Sequence, residues 1–308
     1  MAQEKRTIKR RIKSITSTRK ITKAMELVSA AKMRKSVSRV LLSRRYADLA
    51  WQLVKNLSQD EASRYHQLLA PREKIQKVAL VLISSNRGLC GVFNNQVVAE
   101  AVNFLKEQNL VHASATAEVI LLGKKGSLVK TRYGQQVTAE FIKPDVTSQI
   151  EEILSLAKML LTDYLEGKYD LVAVAYTDYV SSLKQEARVK KLLPIEQVKD
   201  EFLGVVSEQQ TNQTRKETIE VEYLFEPNRA KVLDEILPKL IETQIYQAVL
   251  ESDASEHSAR MMAMRNASDA ASDLIFDLTL SYNQARQAGI TQEIAEISTA
   301  KVAMEKNK

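Results

Sequence analysis

The residues best placed to do chemistry follow the most apolar run of the chain. Val78-Ala79-Leu80-Val81-Leu82-Ile83 reads as a strand buried on both faces, and Ser84-Ser85-Asn86-Arg87-Gly88-Leu89-Cys90-Gly91 is the loop that leaves it. In an α/β fold that loop is where the phosphates of a nucleotide would sit. Its glycines keep neither G-x-G-x-x-G nor G-x-x-x-x-G-K-[ST] spacing, so they do not array backbone N–H groups around a phosphate. Gly123-Lys124-Lys125-Gly126-Ser127 lacks Walker spacing too, and reads as a turn capping a helix. Cys90 has no His near it in sequence to activate a thiolate, which makes it a small packing residue. His66, His112 and His257 fall in three separate segments, and the single Cys excludes both an internal disulfide and a cysteine zinc site. Asp178 and the acids near it form no recognisable pair for acid–base work. No catalytic, cofactor-binding or metal-binding residue emerges, and an interaction protein is the reading that remains.

The elements that position these residues fall into two kinds. From Thr7 to Leu57 there is no Gly or Pro, and Ile8, Ile12, Ile15, Ile21, Met25, Val28, Val37, Leu41, Leu49, Leu53 and Leu57 recur at helical spacing. From Leu237 to Met304 a second helix is expected, roughly 100 Å long at 1.5 Å per residue, with a narrow stripe through Ala259, Ala263, Ala267, Ala270, Leu274, Leu278, Ser281, Ala285 and Ala288. A narrow stripe on so long a helix requires a partner, and the other terminus supplies one. Between them the period changes. Strands are expected at Val78–Ile83, Val119–Gly123, Gln136–Ile142, Asp170–Tyr176, Ala187–Leu193 and Val221–Phe225, and helices at Asn94–Gln108 and Asp145–Glu166, the latter with Asp145 as its N-cap. Pro227 and Pro238 bracket a short helix, and Pro238 should kink or restart the long one.

The fold class is therefore α/β: a long antiparallel coiled coil of the terminal helices, residues 1–58 and 228–308, with a small Rossmann-like domain inserted at 72–226. The chain has 308 residues and a net charge of +7, and residues 1–45 alone hold fifteen basic side chains against Glu4 and Glu26. A face that basic calls for an acidic partner, whether nucleic acid, anionic lipid or acidic protein. No apolar run reaches the ~18 residues that span a bilayer, and the first twenty residues lack the apolar core of a secretory signal.

Several blocks, in order along the chain, resemble the γ subunit of F-type ATP synthases. Arg19-Lys20-Ile21-Thr22-Lys23-Ala24-Met25-Glu26-Leu27-Val28-Ser29-Ala30-Ala31-Lys32-Met33 is similar to that family's N-terminal signature, and Arg87-Gly88-Leu89-Cys90-Gly91 resembles its globular-domain loop. Glu256-His257-Ser258-Ala259-Arg260-Met261 and Tyr282-Asn283-Gln284-Ala285-Arg286-Gln287 resemble its C-terminal signature. Asn86 stands where the family usually has Asp, and Ser298-Thr299-Ala300 replaces a commonly Gly-containing run.

The resemblance implies a rotor shaft inside a ring of three α and three β subunits. Ion-driven rotation, by protons or sodium, would turn the shaft and push each β site through different nucleotide affinities. The α/β domain would join ε and the membrane c-ring, so membrane contact would be only through the c-ring. It further implies a peripheral location on the cytoplasmic face of a bacterial plasma membrane, no cofactor and no metal. Met25, Arg87, Cys90, Arg286 and Gln287 would be the partner-binding residues, with Met25 at the same level of the shaft as Arg286. The rival reading from another class is a basic coiled coil that binds nucleic acid, against which stands the lack of aromatic side chains among the basic ones of residues 1–45.

Overall fold

The computed structural model describes residues 2–57, 66–72, 74–111, 116–195 and 228–306. They form two compact bodies, one from Met1–Val28 with Met261–Lys308 and one from Ser29–Arg260. The elements run α1 (Ala2–Leu57), β1 (Lys77–Ile83), α2 (Phe93–Val111), β2 (Thr116–Leu122), α3 (Leu128–Tyr133), β3 (Val137–Phe141), α4 (Leu154–Leu165), β4 (Leu171–Tyr179), β5 (Gln185–Leu193) and α5 (Arg229–Lys306). The expected strand at Val221–Phe225 lies outside the described residues.

The first body is a pair of helical segments. Along α1 the sheltered positions include Lys5, Ile8, Ile12, Ile15, Arg19, Thr22 and Glu26, with Thr16 and Met25 beside them; along α5 they include Met264, Ser268, Ala271, Ile275, Leu278, Tyr282, Ala285 and Gly289, with Ala267 and Ser272 beside them. Both series alternate steps of three and four, the 3.5-residue period of a left-handed coiled coil. This corrects the expected stripes. Ala270, Leu274, Ser281 and Ala288 face outward, as do Ile21 and Val28, because the 3.5 period drifts from the 3.6-residue spacing on which the apolar residues were lined up. Thr22, Ser268 and Ala271 take the seam, where small side chains permit close approach. At Gly289 a Cβ would meet Lys5 Cε at 2.7 Å, so the end of the Lys5 side chain lies across the glycine.

The second body contains a five-stranded sheet in the order β3-β2-β1-β4-β5, parallel except for β5, which pairs antiparallel with β4. Both faces are covered, which is why β1 and β4 read as unbroken apolar runs. Val78, Leu80 and Leu82 point to α2, where Val97, Val98, Ala101, Val102 and Leu105 present one face. Ala79, Val81 and Ile83 point to α4 and to the start of α5 through Leu160, Tyr164, Leu237, Ile241 and Ile245. Pro238 sits inside α5 without ending it. A proline in a helix interior costs about 3 kcal/mol, whereas each fully buried Leu or Ile side chain contributes about 1.5–3 kcal/mol. Leu233, Leu237, Leu240 and Ile241 around it are all buried in the sheet-facing core, so packing outweighs the missing hydrogen bond.

The helix expected from Asp145 starts later. A 3₁₀ turn at Ile150–Glu152 leads to α4 at Leu154, with the buried Ile153 at the cap position and no side-chain cap. Asp145 is committed elsewhere: its carboxylate meets Lys32 Nζ of α1 at 3.0 Å and its carbonyl accepts from His257 Nε2 of α5 at 2.8 Å. In the same body Ser43 Oγ donates to Gln247 Oε1, and Arg44 Nη2 lies 3.3 Å from Glu251, which tie α1 to α5.

Candidate functional site

The loop after β1 is held from two sides. Ser84 Oγ donates to the Gly123 carbonyl at 2.9 Å and accepts the Gly126 N–H at 2.7 Å, which locks the loop after β1 to the turn after β2. Gly123 has φ 107°, and a Cβ on it would run into the Ser84 carbonyl, so only glycine fits that crossing. Asn94, in the first turn of α2, accepts the Ser85 N–H at 3.0 Å and donates through Nδ2 to Cys90 Sγ at 3.1 Å. Cys90 is buried, as its reading as a packing residue expects. Asn86 Nδ2 donates to the Lys143 carbonyl at 2.5 Å while its Oδ1 faces the Lys124 N–H at 3.4 Å. A carboxylate there could not donate to a carbonyl, so the departure from Asp has a structural reason.

The seat of the loop is a charged face of α5. Asp253, Glu256 and Arg260 recur at steps of three and four, with His257 next to Glu256, so they share one side of the helix. Arg260 donates Nη2 to the Arg87 carbonyl at 3.0 Å and Nε to the Gly88 carbonyl at 3.3 Å, and its Nη1 meets Glu256 at 2.9 Å. Glu256 and Asp253 both receive Lys143 Nζ, at 2.6 and 2.7 Å, and Asp253 also accepts the Thr147 N–H at 2.8 Å. Burial alone would push the Lys143 ammonium down; the facing charges of Asp253 and Glu256 outweigh it and hold the pKa above the usual lysine value. The Glu256 carboxyl, which burial would raise, is held low by Lys143 and Arg260. His257 is pushed down by burial and stays neutral: Nε2 donates to Asp145, which leaves Nδ1 as an acceptor 3.4 Å from Arg260 Nη1.

With the loop backbone fixed, Arg87 and Leu89 turn outward while Cys90 stays buried. Arg87 is 81% exposed and lies 4.0 Å from the Asp145 carboxylate. Leu89 is exposed and holds φ 64°, a left-handed conformation that costs an L-residue about 1–2 kcal/mol. Among the described residues at the C-terminal end of the sheet, Ser84 bonds to Gly123 and Asn86 to Lys143, and Lys143 in turn bonds to α5.

The other expected residues lie in the first body. Met25 is half-buried on α1, and Arg286 and Gln287 are exposed on α5, one and two positions past the sheltered Ala285. The level of Arg286 is that of Lys5, which lies over Gly289. Met25 stands about 30 Å further along α1 at 1.5 Å per residue, so the expectation that it shares the level of Arg286 does not hold. Lys143, Asp253 and Arg260 escaped the sequence reading. Their one signal was the spacing of Asp253, Glu256 and Arg260 along one side of α5. Asp178, for which the acids near it in sequence offered no partner, faces Glu251 of α5. Among the described residues no group of three or more His, Cys, Asp or Glu is arranged for a metal, and no helix is long and apolar enough to cross a membrane.

The model of the family described as ATP synthase matches residues 4–304. The ATP synthase gamma chain of Chloroflexus aurantiacus is 40% identical over 301 residues, which cover 97% of this chain and 98% of that protein. That of Pelotomaculum thermopropionicum is 42% identical over 300 residues, 97% of this chain and 99% of that one. Among solved structures, a chain of the Euglena gracilis mitochondrial ATP synthase (OSCP/F1/c-ring) matches with a TM-score of 0.65 at 18% identity, covering 99% of this chain and 95% of its own. A chain of the Tetrahymena thermophila central stalk and c-ring matches with a TM-score of 0.58 at 24% identity, covering 80% and 99%. The structural matches speak for the fold, and the sequence matches give the nucleic-acid reading no support. With antiparallel terminal helices, an inserted parallel sheet and gamma-chain likeness over nearly its whole length, the chain belongs to the family of ATP synthase gamma chains.

Proposed function

We propose that this chain is the central rotor shaft of an ATP synthase, coupling ion-driven rotation to the nucleotide sites of a surrounding ring while carrying no catalytic site of its own. The observation that carries the reading is its likeness to ATP synthase gamma chains across 97% of the chain. The partners are the α and β subunits of the ring, ε, and the c-ring of the membrane. The chain then lies at the cytoplasmic face of a bacterial membrane and touches the membrane only through the c-ring.

Physical features of both bodies support this. Lys9, Arg10, Arg11, Lys13, Lys20 and Lys23 are exposed on α1, and solvent-exposed ion pairs are worth about 1 kcal/mol or less, so contacts to acidic loops can be broken and remade as the shaft turns. Arg87 makes the contact of the globular-domain loop with β, while Cys90 shapes that loop from beneath. Arg286 and Gln287 form a polar latch on the ring, and Met25 contributes a separate contact at its own level.

The test is purification through an affinity tag on this chain. The expected result is a membrane-derived complex containing α, β and ε that hydrolyses ATP, while the isolated chain gives no saturable heat with MgATP. Recovery of the tagged chain with nucleic acid and without α and β would sink the reading.

A further inference from the structure

The end of β4 carries Asp178, whose side chain is wholly shielded from solvent, and neither of its carboxylate oxygens has a hydrogen-bond donor. Its nearest cation is Arg188 of β5, with Nε at 3.6 Å, too long for a hydrogen bond, and that guanidinium is engaged with Glu186 at 2.7 Å. Opposite stands Glu251 of α5, also wholly buried. Its Oε1 accepts Gln247 Nε2 at 2.8 Å and lies 3.3 Å from Arg44 Nη2 of α1, while its Oε2 has no donor. Tyr176 of β4 is the remaining titratable group beside them, and its hydroxyl is pushed up by burial and by both acids, so it stays neutral.

Three carboxylate oxygens without donors in a dry seam are costly, because an unmade hydrogen bond to a buried charged group costs more than the about 1–3 kcal/mol of a neutral one. One proton changes this. The two carboxyls are within hydrogen-bonding reach of each other, and a carboxylic acid donates where a carboxylate only accepts. We propose that Glu251 keeps its proton at neutral pH and donates it to the buried, donor-less side chain of Asp178, a hydrogen bond that fastens β4 to α5, and that its loss at alkaline pH makes this seam a pH-sensitive latch.

The electrostatics agree with the geometry. Burial first, and then the charge of Asp178, push the Glu251 carboxyl up to about 8, against the opposing pull of Gln247 and Arg44. In the unfolded chain the same carboxyl titrates near 4.5. The folded chain therefore binds the extra proton between those values, and the stability this group contributes is full below about 4.5 and is lost as pH rises through about 8.

Infrared spectroscopy of the full-length chain in deuterated buffer, titrated from pH 6 to pH 10, tests this with melting curves at each pH. The wild type should show a protonated-carboxyl C=O band that disappears with a midpoint near 8. Glu251→Gln, which keeps the shape and supplies a donor, should lack that band and should hold its Tm from pH 6 to pH 9 where the wild type loses several degrees. Asp178→Asn removes the second negative charge, so it should move the midpoint of the band to lower pH; it decides the matter also if the Gln variant folds poorly. A wild type without a protonated carboxyl at pH 6, or a band and Tm profile unchanged in both variants, would overturn the proposal.

Discussion

Lys143, two residues past the end of β3, and Glu256, about a third of the way along α5, meet at 2.6 Å with their side chains 1% and 7% exposed. Asp253 completes the buried cluster from one turn earlier on the same helix. The loop that carries Arg87 rests on this cluster through Arg260, so its position depends on charges that solvent does not reach.

Lys143→Met should therefore cost about 3–5 kcal/mol in urea denaturation, because two buried carboxylates lose their cation. Adding Asp253→Asn and Glu256→Gln should restore most of the loss. A triple variant no better than the single one would show that packing of the Lys143 stem, and not its charge, holds this corner.

Cys90 lies beneath the loop surface with Asn94 on its sulfur. In the native chain it should react with a maleimide at least tenfold more slowly than after unfolding in urea. Native labelling at the unfolded rate would mean that the loop after β1 opens freely.

His257 reverses the sign of the Glu251 effect. Its folded pKa lies below the ordinary 6.5, so the unfolded chain binds the proton more readily; the stability it contributes is present above 6.5 and is lost as pH falls. His257→Gln should flatten the decline in Tm between pH 7 and pH 5 relative to wild type. Parallel curves would show that the carboxylates beside it account for the acid sensitivity.

The crossing of α1 and α5 at Lys5 and Gly289 makes Lys5→Cys with Gly289→Cys an expected crosslink within a single chain under mild oxidation. Because only the flexible end of Lys5 lies over Gly289, Gly289→Ala should change stability by less than about 0.5 kcal/mol. A crosslink only between chains, visible as a dimer on a denaturing gel, would contradict the pairing.

Arg286 is exposed and has no ion-pair partner among the described residues, so Arg286→Ala should change the stability of the chain by less than about 0.5 kcal/mol. In the assembled complex the same substitution should lower ATP hydrolysis and synthesis at normal subunit content. Met25→Lys should act at its separate level, loosening the coupling of ion movement to ATP. Normal turnover and coupling in both would remove these residues from the contact with the ring.

The sequence by itself determined what local patterns can carry. Gap-free helical spacing at both ends and continuous apolar runs at Val78–Ile83 and Asp170–Tyr176 fixed two long helices around a parallel sheet, because period and burial are written into residue type. The lack of glycine spacing in the loop after β1 argued against a phosphate cradle on the same footing. Tertiary structure decided the rest. Which faces of α1 and α5 turn inward followed from the 3.5-residue period of their pairing, which placed Thr22, Ser268 and Gly289 in the seam and left Ile21 and Leu274 outside. Asp145 is a reasonable helix cap by sequence, yet Lys32 and His257 claim it through contacts that no local window contains. Lys143 with Glu256, and Asp178 with Glu251, are distant along the chain and meet only once β3 and β4 are packed against α5. Their protonation is set by burial and by facing charges, and neither exists until the chain is folded.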